Sequence, residues 1–397
     1  MQENRPIRVV HLSTSYTGGA GIAARRLNAK LNDLGIDSSF YAHDKRQYVC
    51  QSKEFKIKKN FIFLLARYFA TILSKLTLRV SFFSIYSAPG LSIKSIENFY
   101  YDKNTILHVH NWFNLFSHRQ IKKLCSSGLP LIFTLHDDRL LTGGCHSTLS
   151  CSNYLRSCNA CPEFKNSMNR IISKNANNFE RLFIEPQTKI KFIAPSKYIK
   201  NKAMESSILK KQNIEFIPNF LGDSLSLTGS TEKICQSNEV ITVGIANINY
   251  QDPLKGGDFV LDLIKIIEEK ALPIRLVFLN KFQDDSKNLF WNQIDCLLVP
   301  SRGDNSPNVI HESKSYGIPF IGTEVGGIPE LATKDIDILI SLSNLNSESI
   351  LLAIEQMRRN TSSVIDHDKI KKSLFLYSKD SIKNLLALYQ EVLNSSE

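Results

Sequence analysis

The chain has 397 residues, 43% of them hydrophobic, with 23 Phe and 13 Tyr, which suits a soluble protein of two ordinary domains and argues against disorder. Its 49 Lys and Arg against 38 Asp and Glu give a net charge of +11, which favours anionic partners such as phosphates, nucleic acid or an anionic membrane face without choosing among them. The opening MQENRPIRVVHLSTS passes from a polar leader straight into a strand-like run without the features of a secretory signal, so the expected compartment is the cytoplasm.

In chain order, short β-rich runs alternate with helical stretches, twice over, the pattern of α/β units with parallel sheets. Strands are predicted at IRVVHLS, SSFYAHD, ILHVHN, LPLIFTLHD and IKFIAPS, and a helix over GIAARRLNAKLNDLG that stops at Gly35. Between the second and third of these strands, the segment Lys56 to Ser87 mixes Lys56, Lys58, Lys59, Arg67, Lys75 and Arg79 with Phe, Leu and Ile. No apolar run in it reaches the ~18 residues needed to span a bilayer. As a helix it gathers most of its charges on one side, leaving an apolar remainder either to enter the headgroups of an anionic membrane or to pack on the protein's own core.

The stretch IEFIPNFLGDSLSLTGSTEKICQSNE reads as a polar interdomain linker, after which strands are predicted at VITVGIA, IRLVFLN, IDCLLVPS, PFIGT and IDILIS. The tail forms an amphipathic helix with Ile382, Leu385, Leu386, Tyr389 and Leu393 on one face. The expected architecture is α/β: two Rossmann-like, doubly wound domains facing across a cleft. The boundaries fall at 1–218 and 219–372, with a closing helix in 373–397 expected to cross back to the first domain.

Three strand ends carry chemistry. Gly18, Gly19 and Gly21 in STSYTGGAGIAARRL allow close backbone approach just before a helix whose first amides can hold a phosphate, although a plain βα turn reads the same way. Lys255 in DPLKGGDF sits on a glycine-flanked turn opening a helix, where ammonium and amides can converge on a diphosphate; a solvated lysine is the plain alternative. His136 and Asp137 end LPLIFTLHD, where an open α/β sheet delivers residues to its crevice. His108, His110 and Trp112 in HVHNWF are weaker candidates, read as core or rim.

Together with IAPSKYIKNKA, IPNFL and PSRGDNSPNVIHESKSYGIPFIGTEVGGIPEL, these motifs resemble the retaining sugar-nucleotide glycosyltransferases of the GT-B fold, in particular glycosyltransferase family 4. The resemblance spans nearly the whole chain and narrows, through TLHD and TGGCH, to a branch of bacterial surface-polysaccharide enzymes. It implies a nucleoside diphosphate sugar donor held against Gly18, Gly19, Gly21, Lys255, Asn308, Val309 and Glu312, with Glu312 accepting hydrogen bonds from the ribose. Lys255, Asp304 and His136 are the implied catalytic positions, and no divalent metal takes part in catalysis. Asp304 stands where the family usually has Glu, one methylene longer. Tyr250 stands near the place of a common phosphate-binding Arg, which leaves Lys197, Arg302 and backbone amides near Gly19 and Gly326 as helpers. The implied acceptor is a lipid-linked saccharide, reached from the cytoplasm at the inner membrane face. A non-hydrolysing sugar-nucleotide epimerase is the enzymatic rival.

Cys145, Cys151, Cys158 and Cys161 are spaced C-x5-C-x6-C-x2-C, and the closing C-x-x-C can give two thiolates to a tetrahedral zinc that the earlier pair completes. Structural zinc is weighed against buried thiols or redox pairing, with His146 an alternative ligand. The other cysteines, Cys50, Cys125, Cys235 and Cys296, read as core. A zinc-dependent nucleic-acid-binding protein would use both the charge and this cluster, but it leaves Asp304 and Glu312 unexplained, and no nucleic-acid partner is expected. The Arg-Gly-Asp at 302–304 invites an adhesion reading that no export signal supports.

Overall fold

The computed structural model describes residues 7–44, 53–57, 64–65, 68–69, 72, 104–163, 169–184, 189–221, 240–246, 252–279, 284–361 and 366–395. Most of the Lys56 to Ser87 segment, most of the polar stretch read as a linker, Tyr250, Cys50 and Cys235 lie outside them. Two compact units are formed, Met1–Gly222 with Asp380–Glu397, and Asp223–Lys379. Among the described residues no helix is long and apolar enough to cross a membrane.

The first unit is built on a seven-stranded sheet in the order β3-β2-β1-β4-β5-β6-β7, comprising β1 (Arg8–Ser15), β2 (Asp37–Asp44), β3 (Glu54–Lys56), β4 (Thr105–Val109), β5 (Leu131–Thr134), β6 (Ile190–Ala194) and β7 (Ile214–Phe216). Every pairing in it is parallel. The described helices between strands are α1 (Gly19–Asp33), α2 (His118–Cys125), α3 (Asn169–Leu182) and α4 (Lys197–Glu205). Strands β4, β5 and β6 are buried along their whole length, as central parallel strands covered on both faces must be. Side chains alternate between the faces. Val10, Leu12, Leu107, Val109, Leu131 and Phe133 pack with Ile121, Phe179 and Phe183 on one side. Val9, Ile106, Ile132 and Ile193 face the other way.

The second unit is a five-stranded parallel sheet in the order β12-β11-β10-β8-β9, comprising β8 (Ile241–Ala246), β9 (Ile274–Leu279), β10 (Cys296–Val299), β11 (Phe320–Thr323) and β12 (Ile338–Ile340). Its helices are α5 (Gly257–Glu269), α6 (Asp284–Gln293), α7 (Asn308–Ser315), α8 (Ser347–Thr361) and α9 (His367–Ser378). Helix α9 runs through residue 372 and stays with this unit, so the chain returns to the first unit only at Asp380. There α10 (Ser381–Asn394) lays Leu385, Leu388, Tyr389 and Val392 on the face carrying Val9, Ile106, Ile132 and Ile193.

Two elements depart from the sequence reading. Ile214–Phe216, read as the start of a linker, pairs with β6 as an edge strand, and Glu54–Lys56 pairs with β2 at the opposite edge. Runs of three residues are too short for a period of two to register.

The strand orders locate the crevices. Connections leave in opposite directions from β1 and β4 in the first sheet and from β8 and β10 in the second. Open α/β sheets bind ligands outside the carboxyl ends of such neighbours.

Candidate functional site

In the second unit, the crevice between β8 and β10 holds Lys255 and Asp304. The turn Pro253–Lys255 is capped by Asp252, whose carboxylate accepts from Leu254 N at 3.0 Å and whose carbonyl accepts from Lys255 N at 3.0 Å. Gly256 follows with φ +67°, and a β-carbon there would stand 2.0 Å from the Pro300 carbonyl oxygen. Only glycine lets the turn seat against the end of β10, where Arg302 N donates to Leu254 O at 2.7 Å.

This seating delivers Lys255 Nζ to Asp304 Oδ2 at 2.6 Å, with the lysine side chain 40% and the aspartate 16% exposed. Burial works against the ammonium charge, but the Asp304 carboxylate outweighs it and holds the Lys255 pKa above its ordinary value. Asp304 is fixed from both sides. Its Oδ1 accepts from Ser306 N at 3.2 Å, and its carbonyl accepts from Gly327 N at 2.9 Å. Gly326, at φ +59°, comes so near that a β-carbon would lie 1.8 Å from the Asp304 carbonyl oxygen.

Helix α7 begins directly after Pro307 with no side-chain cap, so its positive end faces outward from Asn308 and Val309. Glu312, in its second turn, is 6% exposed. The unit thus gathers an ammonium, a carboxylate locked to it, an uncapped helix head and a buried glutamate around one switch point, a set suited to a phosphorylated, hydroxyl-bearing ligand. Arg302 is committed elsewhere: its guanidinium makes two bonds to Asp258, at 2.8 and 2.5 Å, and lies 4.2 Å from the Phe259 ring centroid.

Sequence reasoning passed over Lys314, which sits among polar neighbours in HESKS. Its Nζ is buried against Leu331 O, Thr333 Oγ1 at 2.5 Å and Asp337 Oδ2 at 3.3 Å, so it pins the segment that follows the Gly-Gly turn. Burial lowers the Lys314 pKa and raises that of Asp337, each partly offset by the partner. The available signal was spacing, because Lys314 lies one turn beyond the buried Ile310.

In the first unit, Gly21 brings α1 against the end of β1, since a β-carbon there would meet Ser15 O at 2.2 Å, and Gly18, at φ +85°, opens the turn ahead of Gly19. Beside this turn lies a row of imidazoles. His11 and His108 are register partners on β1 and β4, and His110 and His136 follow β4 and β5. His11 Nδ1 is 3.0 Å from His110 Nε2, and His110 Nδ1 is 3.3 Å from His136 Nε2. His108 stacks on His110 at 4.1 Å and uses both nitrogens, toward Tyr389 Oη and Thr134 Oγ1, each at 2.8 Å.

Nitrogen atoms of His11, His108 and His110 lie within 4.8 Å of one another; both nitrogens of His108 and of His110 are hydrogen-bonded, while His11 engages only Nδ1. Burial pulls His11 down to about 3 and His136 to about 4, so the row is neutral at physiological pH. Asp137 does not join it. Burial opposes its charge, yet Arg139 beside it keeps its carboxyl well below the usual range, and it caps the turn at Arg139 N. His136 is the outermost of the row; Trp112, His108 and His110 are core.

The four clustered cysteines converge. Cys145, Cys151, Cys158 and Cys161 line one small, partly open pocket of about 10 Å³ with Thr142, Thr148, Asn153, Tyr154 and Ile172. His146 does not line it; its Nδ1 lies 3.6 Å from Asp137 Oδ2. Cys125 and Cys296 are buried elsewhere.

Residues 245–360 match the family model described as Glycosyl transferases group 1. The chain is 22% identical over 260 residues to the putative colanic acid biosynthesis glycosyl transferase WcaC of Escherichia coli (strain K12), covering 58% of this chain and 62% of that protein. It is 24% identical over 178 residues to an uncharacterized 41.2 kDa protein in the cps region of Klebsiella pneumoniae, covering 39% of this chain and 49% of that one. It therefore spans about half to under two thirds of the length of these curated relatives.

Among solved structures, sucrose-phosphate synthase from Thermosynechococcus elongatus superposes with a TM-score of 0.68 at 11% identity, covering 98% of this chain and 100% of that one. Anabaena HepE in complex with UDP-glucose gives 0.58 at 13%, covering 98% and 99%. WaaG, a glycosyltransferase involved in lipopolysaccharide biosynthesis, gives 0.54 at 11%, covering 97% and 98%. The fold is therefore that of the GT-B glycosyltransferases, and residues 245–360 are similar to the glycosyl transferases group 1 family.

Proposed function

We propose that the protein moves a glycosyl unit from a nucleoside diphosphate sugar to an acceptor hydroxyl, with net retention at the anomeric carbon, in building a bacterial surface polysaccharide. The observation that carries this reading is the Lys255–Asp304 pair at the β8/β10 switch point, with the uncapped α7 head and buried Glu312 beside it. The helix head and Lys255 receive the diphosphate, Glu312 accepts from the ribose hydroxyls, and Asp304 orients Lys255 beside the sugar. As the bond from the anomeric carbon to the β-phosphate oxygen breaks, negative charge grows on the diphosphate, where fixed positive groups stabilise it most. The acceptor oxygen bonds to the same face of that carbon and its proton passes to the departing phosphate oxygen, with no divalent metal required. In the first unit, His136 and the turn through Gly18, Gly19 and Gly21 are further candidate contacts for the substrates.

The HepE structure holds UDP-glucose, and WaaG and WcaC are described by lipopolysaccharide and colanic acid biosynthesis, which supports a nucleotide-sugar donor and a polysaccharide product. The acceptor in this reading is a lipid-linked saccharide at the cytoplasmic membrane face. Leu64, Leu65, Tyr68, Phe69 and Ile72, exposed at helical spacing, support contact with that surface.

The test is nucleoside diphosphate release from a panel of donor sugars, with and without membrane-extracted acceptor. Acceptor-dependent release that persists in EDTA, with a retained anomeric configuration in the product, is expected. Conversion of the donor sugar without acceptor would instead identify an epimerase.

A further inference from the structure

We infer that Cys145, Cys151, Cys158 and Cys161 bind a structural zinc ion that staples the loop following His136. Four observations converge. The cysteines, spread over seventeen residues of sequence, line one small pocket with room at its centre for about one water-sized sphere. The closing C-x-x-C carries left-handed backbone at Cys158 (φ +52°) and Ala160 (φ +55°), which folds the pair into a knuckle. Gly143 N donates to Cys158 Sγ at 3.4 Å, the kind of bond that satisfies a metal-bound thiolate. Thr148, 5% exposed, lines the cavity with its hydroxyl buried and without a hydrogen-bond partner. A thiolate beside that hydroxyl gives it an acceptor.

Sulfur ligands alone make the set: His146 is outside the cavity and beside Asp137. A tetrahedral zinc with Zn–S bonds of about 2.3 Å sets its four sulfurs roughly 3.8 Å apart. Binding releases the thiol protons as the Zn–S bonds form. Four protein ligands close the coordination sphere, so the ion does no chemistry of its own.

Its effect is on position. The loop is already tied at its base, where Asp138 accepts from Lys202 Nζ at 2.6 Å and from Thr148 N at 2.8 Å. Its other end packs on α3, where a β-carbon at Gly143 would stand 2.4 Å from Ile172 and Ser173 Oγ donates to Cys158 O at 3.5 Å. The zinc links these ends and holds the strand end that carries His136.

Elemental analysis of protein purified without chelator or added metal is expected to find about one zinc per chain, and zinc-edge absorption to fit four sulfur neighbours at about 2.3 Å. The Cys158→Ser, Cys161→Ser double variant is expected to lose the zinc, and Cys125→Ser, outside the cavity, to keep it. Should the double variant not fold, wild type decides alone: stripping the ion is expected to speed proteolysis selectively within residues 145–163. Zinc below about a tenth per chain in folded protein, an intact mass showing disulfides within the cluster, an absorption shell of oxygen or nitrogen only, or undiminished zinc in the double variant would each overturn the inference.

Discussion

Lys255 Nζ and Asp304 Oδ2 stand 2.6 Å apart although the residues are 49 positions apart in sequence, each delivered by a loop that follows a different strand of the second sheet. The pair makes the lysine a fixed charge rather than a mobile one, which is what a developing diphosphate anion needs. Lys255→Ala is expected to lower kcat by about 10²- to 10³-fold, the scale of losing one preorganised electrostatic contact. Asp304→Glu keeps the charge and is expected to retain transfer with an altered preference among donor sugars, whereas Asp304→Ala loses both. Steady-state kinetics over a donor panel measure this; equal kcat in wild type and Lys255→Ala would remove the lysine from the site.

The Gly-Gly turn tests how tightly Asp304 is held. Gly326→Ala combines a left-handed φ with a β-carbon 1.8 Å from the Asp304 carbonyl oxygen, while Gly128→Ala has φ +74° but nothing within 4 Å. The Gly128 variant is expected to lose only the conformational term, about 1 kcal/mol. Gly326→Ala is expected to lose more and to weaken nucleotide binding as well. Denaturant unfolding and calorimetry read the two; equal losses would show that the turn is not packed against Asp304.

The imidazole row sets a pH dependence of stability. His11 titrates near 3 in the folded protein because it is buried, against an ordinary value of about 6.5, so below that value the unfolded chain takes up protons first. Stability is therefore full above about pH 6.5 and falls as pH drops toward the folded value, with His11 alone contributing a slope of up to about 1.4 kcal/mol per pH unit. His108, His110 and His136 shift the same way. Urea unfolding between about pH 7 and 5 is expected to show a shallower slope for His11→Asn than for wild type. Identical slopes would contradict the buried, neutral state.

The returning helix is anchored by Tyr389, whose hydroxyl meets His108 Nδ1 at 2.8 Å from a fully buried position. Tyr389→Phe leaves that nitrogen without its partner and is expected to cost about 1–3 kcal/mol. Leu388→Ala on the same face is expected to cost about 2–5 kcal/mol. Equilibrium unfolding of the two variants decides, and losses within about 0.5 kcal/mol for both would mean that α10 does not hold the first unit together.

Much of this is legible in the sequence. The run LPLIFT is apolar through Leu131, Ile132 and Phe133 because parallel strands are covered on both faces, and it surfaces as β5, while ILHVHN surfaces as β4 with His108 buried among its apolar neighbours. The glycines of DPLKGGDF and EVGGIPE signalled tight turns, though only the structure shows that Gly256 and Gly326 are pressed against Pro300 and Asp304. What stayed hidden depends on long-range partners. Lys314 looked solvated until Asp337 and Thr333 closed on it, Ile214–Phe216 needed β6 to become a strand, and the histidine row needed three strands in register. Arg302 was legible as a phosphate helper but is held by Asp258, a partner on a separate element.

The central claim, that the second unit binds a nucleoside diphosphate through Lys255, Glu312 and the head of α7, is tested most directly by calorimetric titration of a panel of nucleoside diphosphates into the wild type and the Lys255→Ala and Glu312→Ala variants. One base is expected to bind the wild type, with affinity lowered roughly 10- to 100-fold in Glu312→Ala, the scale of losing charge-assisted hydrogen bonds to the ribose. Lys255→Ala is expected to lose affinity as well. No binding by any member of the panel to folded wild type, or wild-type affinity in both variants, would contradict it.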